Sequence, residues 1–243
     1  MSETASSRKK ILMVASNPAT SQQTGWPIGV WWAELTHAYK AFTDAGYLVT
    51  IASPEGGALG WDGLSDPEDP SGYSADDALS LEFKNDPGRM ALTRDTPALR
   101  EIDLKDYDAV FFVGGQGPMY TFIGNDDVHA AVADFLAEDK PTALVCHATS
   151  VLLTAKDRDG TLIVDGRRWT GFASSEEQIA EDAVGQRIQP FWIEDEARKI
   201  GATEFVVGDP FQPFAVRDGN LITGQNQNSA TEAAKLVIEA LER

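Results

Sequence analysis

The chain holds one cysteine, and it stands where an apolar strand gives way to polar residues, in Ala143-Leu144-Val145-Cys146-His147-Ala148-Thr149. In an open parallel sheet, ligands bind beyond the carboxyl ends of the strands. A thiol there, at the start of a helix, meets a partial positive charge that favours the nucleophilic thiolate. The arrangement is that of a strand–nucleophile–helix elbow, with Leu144 and Ala148 where glycines usually flank the nucleophile. The expectation is an acidified, accessible and oxidation-prone thiol; the alternative is a buried structural cysteine. Gly114-Gly115-Gln116-Gly117 follows a second strand end. Its glycines allow close backbone approach and can offer N–H groups to an oxyanion, or they serve only a tight turn. The run is neither a dinucleotide fingerprint nor a phosphate loop. Glu34 lies between Trp31 and Leu35, beside an apolar stripe. A partly desolvated carboxyl there would keep its proton near neutrality and could donate to a thiolate, although spacing alone favours a solvated flank.

These residues need a frame. Apolar runs at Ile11–Ala15, Leu48–Ala52, Asp108–Val113 and Thr142–Val145 read as strands. A helix from about Gly29 to Ala45 ends at Gly46, and another covers Asp126–Leu136. The polar stretch Pro54–Asp95 is long for a structureless connection, so it is functional or holds a helix, with Ser74–Phe83 the candidate. A short helix is expected at Ser150–Ala155, and others at Glu176–Asp182 and Trp192–Ile200. Glu204–Val207 reads as a strand. Asp165-Gly166 and Asp218-Gly219 mark two hairpins, and Ser229 should cap a last helix to about Leu241. The alternation predicts an α/β fold, a doubly wound, mainly parallel sheet with helices on both faces. Residues 1–8 read as a disordered tail and residues 9–243 as one domain with hairpin insertions.

Composition narrows the function. Thirty-eight acidic against 20 basic residues give a net charge of −18, which argues against nucleic acid or an anionic membrane surface as partner. One cysteine allows neither an internal disulfide nor a cysteine zinc site, which suits a cytoplasmic protein. The other histidines, His37 and His129, belong to no set with metal-ligand spacing, so no metal is expected. Trp26 and Trp61 sit in loops and could wall a pocket.

Taken in order, Gly29-Val30-Trp31-Trp32-Ala33-Glu34, Gly60-Trp61-Asp62, Asp108–Gly117, Ala143–His147, Thr170-Gly171-Phe172 and Asp218–Asn226 resemble the ThiJ/PfpI superfamily, with its glutamine-amidotransferase-like, flavodoxin-type fold. Within it they resemble the heat-shock chaperone branch with glutathione-independent glyoxalase (glyoxalase III) activity. The resemblance implies that Cys146 is the nucleophile, His147 its base and Glu34 the acid bonded to the sulfur. Glu177, five residues beyond Phe172, would be the third member; adjacent Glu176 would point away, as a surface position. Gly114, Gly115, Gln116 and the N–H of His147 would line the substrate and oxyanion site. The resemblance also implies no cofactor, a small-molecule aldehyde substrate and a homodimer. A chaperone that binds exposed apolar segments, or a cysteine hydrolase on the same elbow, are the alternatives. The branch usually has Gly-His-Gly and Cys-His-Gly-Pro where this chain has Gly115-Gln116-Gly117 and Cys146-His147-Ala148-Thr149, both beside the pocket.

Overall fold

A computed structural model describes residues 8–243. The expected tail lies, apart from Arg8, outside the described residues. The inner strands of the main sheet form where largely apolar runs are covered on both faces, and the two edge strands are only partly buried. Strand β1 (Lys10–Val14) has Ile11 to Val14 wholly buried. Helix α1 (Trp32–Asp44) buries Leu35, Ala38 and Phe42; its first N–H, from Trp32, donates to the hydroxyl of distant Ser65 at 3.1 Å. Gly46, at φ 82°, ends it as expected. Strand β2 (Leu48–Ala52) follows, and the long polar stretch does contain helix α2 (Ala78–Asn85). Then come β3 (Ala109–Phe112), α3 (Asp126–Ala137), β4 (Thr142–Val145), α4 (Ser174–Val184), the hairpin β5 (Ala215–Asp218) with β6 (Leu221–Gly224), and α5 (Ala230–Leu241).

The strand order is β2-β1-β3-β4-β6-β5. Every pairing is parallel except β5 with β6, so an antiparallel hairpin closes one edge. This is the flavodoxin-type, mainly parallel sheet with flanking helices. The carboxyl ends of β3 and β4, neighbours in the sheet, deliver Gly114 and Cys146 side by side, which is where such a sheet builds a ligand site.

Some local expectations do not hold. Asp165-Gly166 makes no hairpin: Arg168–Trp169 pairs in parallel with Glu204–Phe205, and the Trp169 indole N–H donates to Thr203 at 2.8 Å. Burial of Val164 and Trp169 in the core decides the path of this segment over its turn signal. Ser229 does not cap α5 with its side chain; its hydroxyl accepts from the backbone N–H groups of Phe214 and Asn226. The helix expected over Trp192–Ile200 is only Ile193–Ala197. A 3₁₀ segment, Cys146–Leu153, replaces the α-helix expected behind the thiol.

Candidate active site

Cys146 sits at φ 57°, a left-handed conformation unusual for a residue with a Cβ. Such strain persists only where the surroundings fix it. Here the Thr149 hydroxyl donates to the Cys146 carbonyl at 2.6 Å, and Gly171 makes room: a Cβ there would lie 2.2 Å from that hydroxyl. The Ala148-Thr149 departure thus supplies a brace to the turn. Gly114 is glycine for a similar reason. A Cβ on it would lie 2.4 Å from Glu34 Oε2 and 2.8 Å from Cys146 Cβ. Gly115, at φ 104°, would collide with Gly29 O and Trp31 N, both at 2.4 Å.

Around the sulfur the residues converge. His147 Nδ1 lies 3.3 Å from Cys146 Sγ, and Nε2 lies 3.0 Å from Glu177 Oε1. With Glu177 accepting at Nε2, the neutral ring carries its proton there and leaves Nδ1 to accept from the thiol. Phe172 stacks on the ring at 4.3 Å between centroids, fixing its plane. On the other side, the wholly buried Glu34 accepts from Gly114 N at 2.9 Å and meets the thiol with its carboxyl. The backbone N–H groups of Gly115 and His147 favour a negative charge on the sulfur.

The electrostatics correct one expectation. Cys146 is only 3% exposed. Burial first, then the Glu34 carboxyl, pushes its thiol well above the ordinary range, and the two N–H groups do not outweigh them. Burial and the neighbouring acid leave the resting thiol protonated, neither acidified nor accessible. Burial also lifts Glu34 to about 8, against the thiol, His147 and the Gly114 N–H, so it holds its proton at neutral pH. Burial works against a charge on His147, but Glu177, with Glu34 and Asp62 behind it, raises its pKa above the usual value. Glu177 is itself raised by burial, an effect that His147 only partly offsets.

Two carboxylates play parts that spacing did not suggest. Asp62, 1% exposed, accepts from Gly29 N at 3.0 Å and from Gln116 N at 2.6 Å, tying the glycine turn to the segment before α1. Burial, more than these bonds oppose it, raises its pKa to about 6. The Gly60-Trp61-Asp62 triplet was the available signal, but its partners lie 33 and 54 residues away. Glu176 is not a surface residue. It is wholly buried, and its Oε1 accepts from Phe211 N, Gln225 Nε2 and Asn226 Nδ2 at 2.7, 3.0 and 2.7 Å, while Oε2 accepts from Ala173 N at 3.0 Å.

His147 and Glu177 form part of the wall of a cavity of about 240 Å³. Gln116 lines it too, and its side-chain oxygen has no hydrogen-bond partner among the described residues. Trp26 faces this cavity; Trp61 instead stacks on Trp32 at 3.7 Å. His37 pairs with Asp77 and His129 bonds to Ile123 O, both away from the thiol. Among the described residues no three metal-ligating side chains gather, and no helix is long and apolar enough to cross a membrane.

Over nearly its whole length the chain is similar to proteins that already have names. The chain is 28% identical over 240 residues to Glyoxalase 3 of Candida albicans, covering 96% of this chain and 98% of that protein. It is 28% identical over 238 residues to the glutathione-independent glyoxalase HSP31 of Saccharomyces cerevisiae, covering 96% and 98%. Among solved structures, the Rapid Encystment Protein 24 KDa of Francisella tularensis superposes with a TM-score of 0.84 at 29% identity, covering 96% of this chain and 99% of that one. The pattern of the DJ-1/PfpI family matches residues 29–240. With the strand-end cysteine and the sheet order, this match makes the chain a member of the DJ-1/PfpI family.

Proposed function

We propose that the protein is a glutathione-independent glyoxalase that converts 2-oxoaldehydes such as methylglyoxal to 2-hydroxy acids through Cys146. The observation that carries the reading is the sulfur held between a histidine backed by a carboxylate and a second carboxyl that keeps its proton. A thiol of raised pKa needs a base beside it, and His147 Nδ1 is 3.3 Å away. As Sγ attacks the aldehyde carbon, the thiol proton passes to His147, and Glu177 supports the charge that forms. The product is a hemithioacetal. Its C1 proton leaves to a base and a proton returns at C2, through an enediolate. Glu34 and His147 flank the sulfur and are the groups for this transfer, Glu34 being poised at about 8 for both directions. The isomerised thioester is then hydrolysed, restoring the thiol. Water is the only co-reactant, and the carbon that is oxidised and the carbon that is reduced lie in the same molecule.

The names of the relatives support the same chemistry. Cys146→Ala should abolish formation of the 2-hydroxy acid while circular dichroism stays native. Retention of more than about a tenth of wild-type kcat/KM, a loss below ~1.4 kcal/mol, would sink the covalent route. Turnover of esters or amides in place of methylglyoxal would assign the triad to a hydrolase.

A further inference from the structure

We propose that the cavity beside His147 selects 2-oxoaldehydes with a bulky, uncharged, apolar group on the keto carbon, such as isobutyl or benzyl, over methylglyoxal. This rests on the glyoxalase reading above and specifies its substrate. The cavity, at about 240 Å³, falls just below the roughly 300 Å³ at which sites for drug-sized ligands begin. One wall is His147 with Glu177, the side of the histidine turned away from the buried Cys146, which does not itself line the cavity. Its other walls come from separate segments and are mostly apolar: Trp26 and Trp31 before and at the start of α1, Tyr73 in the polar stretch, Phe211, and Ile188 beyond α4. The single methyl of methylglyoxal cannot meet walls on so many sides, whereas a branched or aromatic group can.

The lining also says what the group is not. It contains no lysine or arginine, and its one histidine is already paired with Glu177. A phosphate or carboxylate on the substrate would be desolvated there without a counter-charge. Ala180 creates part of the space. It lies three residues after Glu177 on α4, hence on the same helix face one turn on, and its methyl leaves room that a larger side chain would fill. Bulk is therefore set by a residue outside the Cys146–His147–Glu177 set.

The test is the ratio of kcat/KM for the benzyl-substituted 2-oxoaldehyde to that for methylglyoxal. In the wild type it should exceed about 10, carried mainly by KM, as one or more buried methylenes give. Ala180→Phe should lower the ratio at least tenfold, and Ile188→Ala, which enlarges the far end, should not lower it. A ratio is insensitive to loss of folded protein; if Ala180→Phe does not fold, Ala180→Leu should move it the same way by less. A wild-type ratio below 1, or a ratio that Ala180→Phe leaves in place, overturns the inference while methylglyoxal turnover keeps the glyoxalase reading. If no 2-oxoaldehyde is turned over, that reading fails. Tryptophan fluorescence titration of Cys146→Ala with the same two compounds then decides the cavity: tenfold tighter binding of the benzyl compound supports its apolar preference, and equal binding overturns it.

Discussion

Glu34 and Glu176 are both wholly buried, yet the protein solvates them very differently. Glu176 collects four donors from three parts of the chain, the turn before α4, Phe211 and the Gln225-Asn226 pair after β6. Glu34 receives one N–H, from Gly114, and its Oε1, beside the thiol, has no nitrogen or oxygen partner among the described residues. Four donors make a carboxylate a structural tie. One donor leaves a carboxyl that keeps its proton to about pH 8 and can release it to a reacting atom. The number of donors thus separates a group that holds the fold from one that can move protons. Residue type and burial do not.

Replacing Glu34 tests this contrast most severely. Glutamine keeps an acceptor for Gly114 and an N–H for the sulfur but cannot transfer a proton. Glu34→Gln should cut kcat by about 100-fold or more, the usual size of a lost acid–base step. Stability should move the other way. Between its unfolded value of 4.5 and about 8, folded Glu34 holds a proton that the unfolded chain has released. Its contribution to stability therefore falls as pH rises through that window and levels off above 8, by on the order of 5 kcal/mol in all. Glutamine escapes this cost, so the variant should melt higher than wild type at pH 9, with the gap closing toward pH 4.5. Wild-type activity should also decline above pH 8 as Glu34 loses its proton. A melting difference that does not depend on pH would mean that Glu34 is not the buried acid described.

The adjacent pair Glu176 and Glu177 sharpens the comparison within one turn of helix. Glu176→Gln turns one acceptor into a donor that must face existing donors. The cost should be about 2–3 kcal/mol, a fall of roughly 5–10 °C in Tm, with the remaining folded enzyme still active at low temperature. Glu177→Gln removes the partner of His147 Nε2 and should lower kcat at least ~10-fold with a smaller change in Tm. Reversal of the two outcomes, seen by pairing thermal melts with kcat, would exchange their roles.

The sheet was legible because its inner strands are largely apolar runs, and the Asp218-Gly219 hairpin because its turn residues name it. Cys146, His147, Gly114 and Gly115 stood out at strand ends. The surroundings that decide their chemistry did not. Glu34 is buried because Gly114, 80 residues away, has no Cβ to exclude it. Glu176 looks like surface until Gln225 and Asn226 are brought under it by the closing hairpin. An acidified thiol is the local expectation because the sequence announces a helix start but not the burial or the facing acid that reverse the effect.

Asp62 should give the smallest effect. It lies between the two cases, with two backbone donors and a pKa of about 6. Asparagine can accept from one of them and must point its own N–H₂ at the other. The turn has independent ties, Gly117 N to Gly29 O at 2.8 Å and Trp31 N to Gly114 O at 3.2 Å, so Asp62→Asn should fold. Either orientation disturbs the tie between the segment before α1 and Gln116, whose side chain lines the cavity. The loss should therefore appear in KM, about 3–10-fold, with kcat changed less, since a group that positions a binding residue alters ground-state and transition-state contacts together. The pH profile distinguishes this from a general loosening. In the wild type, protonation below about 6 replaces the carboxylate with a weaker acceptor, so KM should rise as pH falls through that value. In Asp62→Asn the inflection should vanish. An inflection that survives the substitution would assign it to another group and leave Asp62 as a tie of the Glu176 kind.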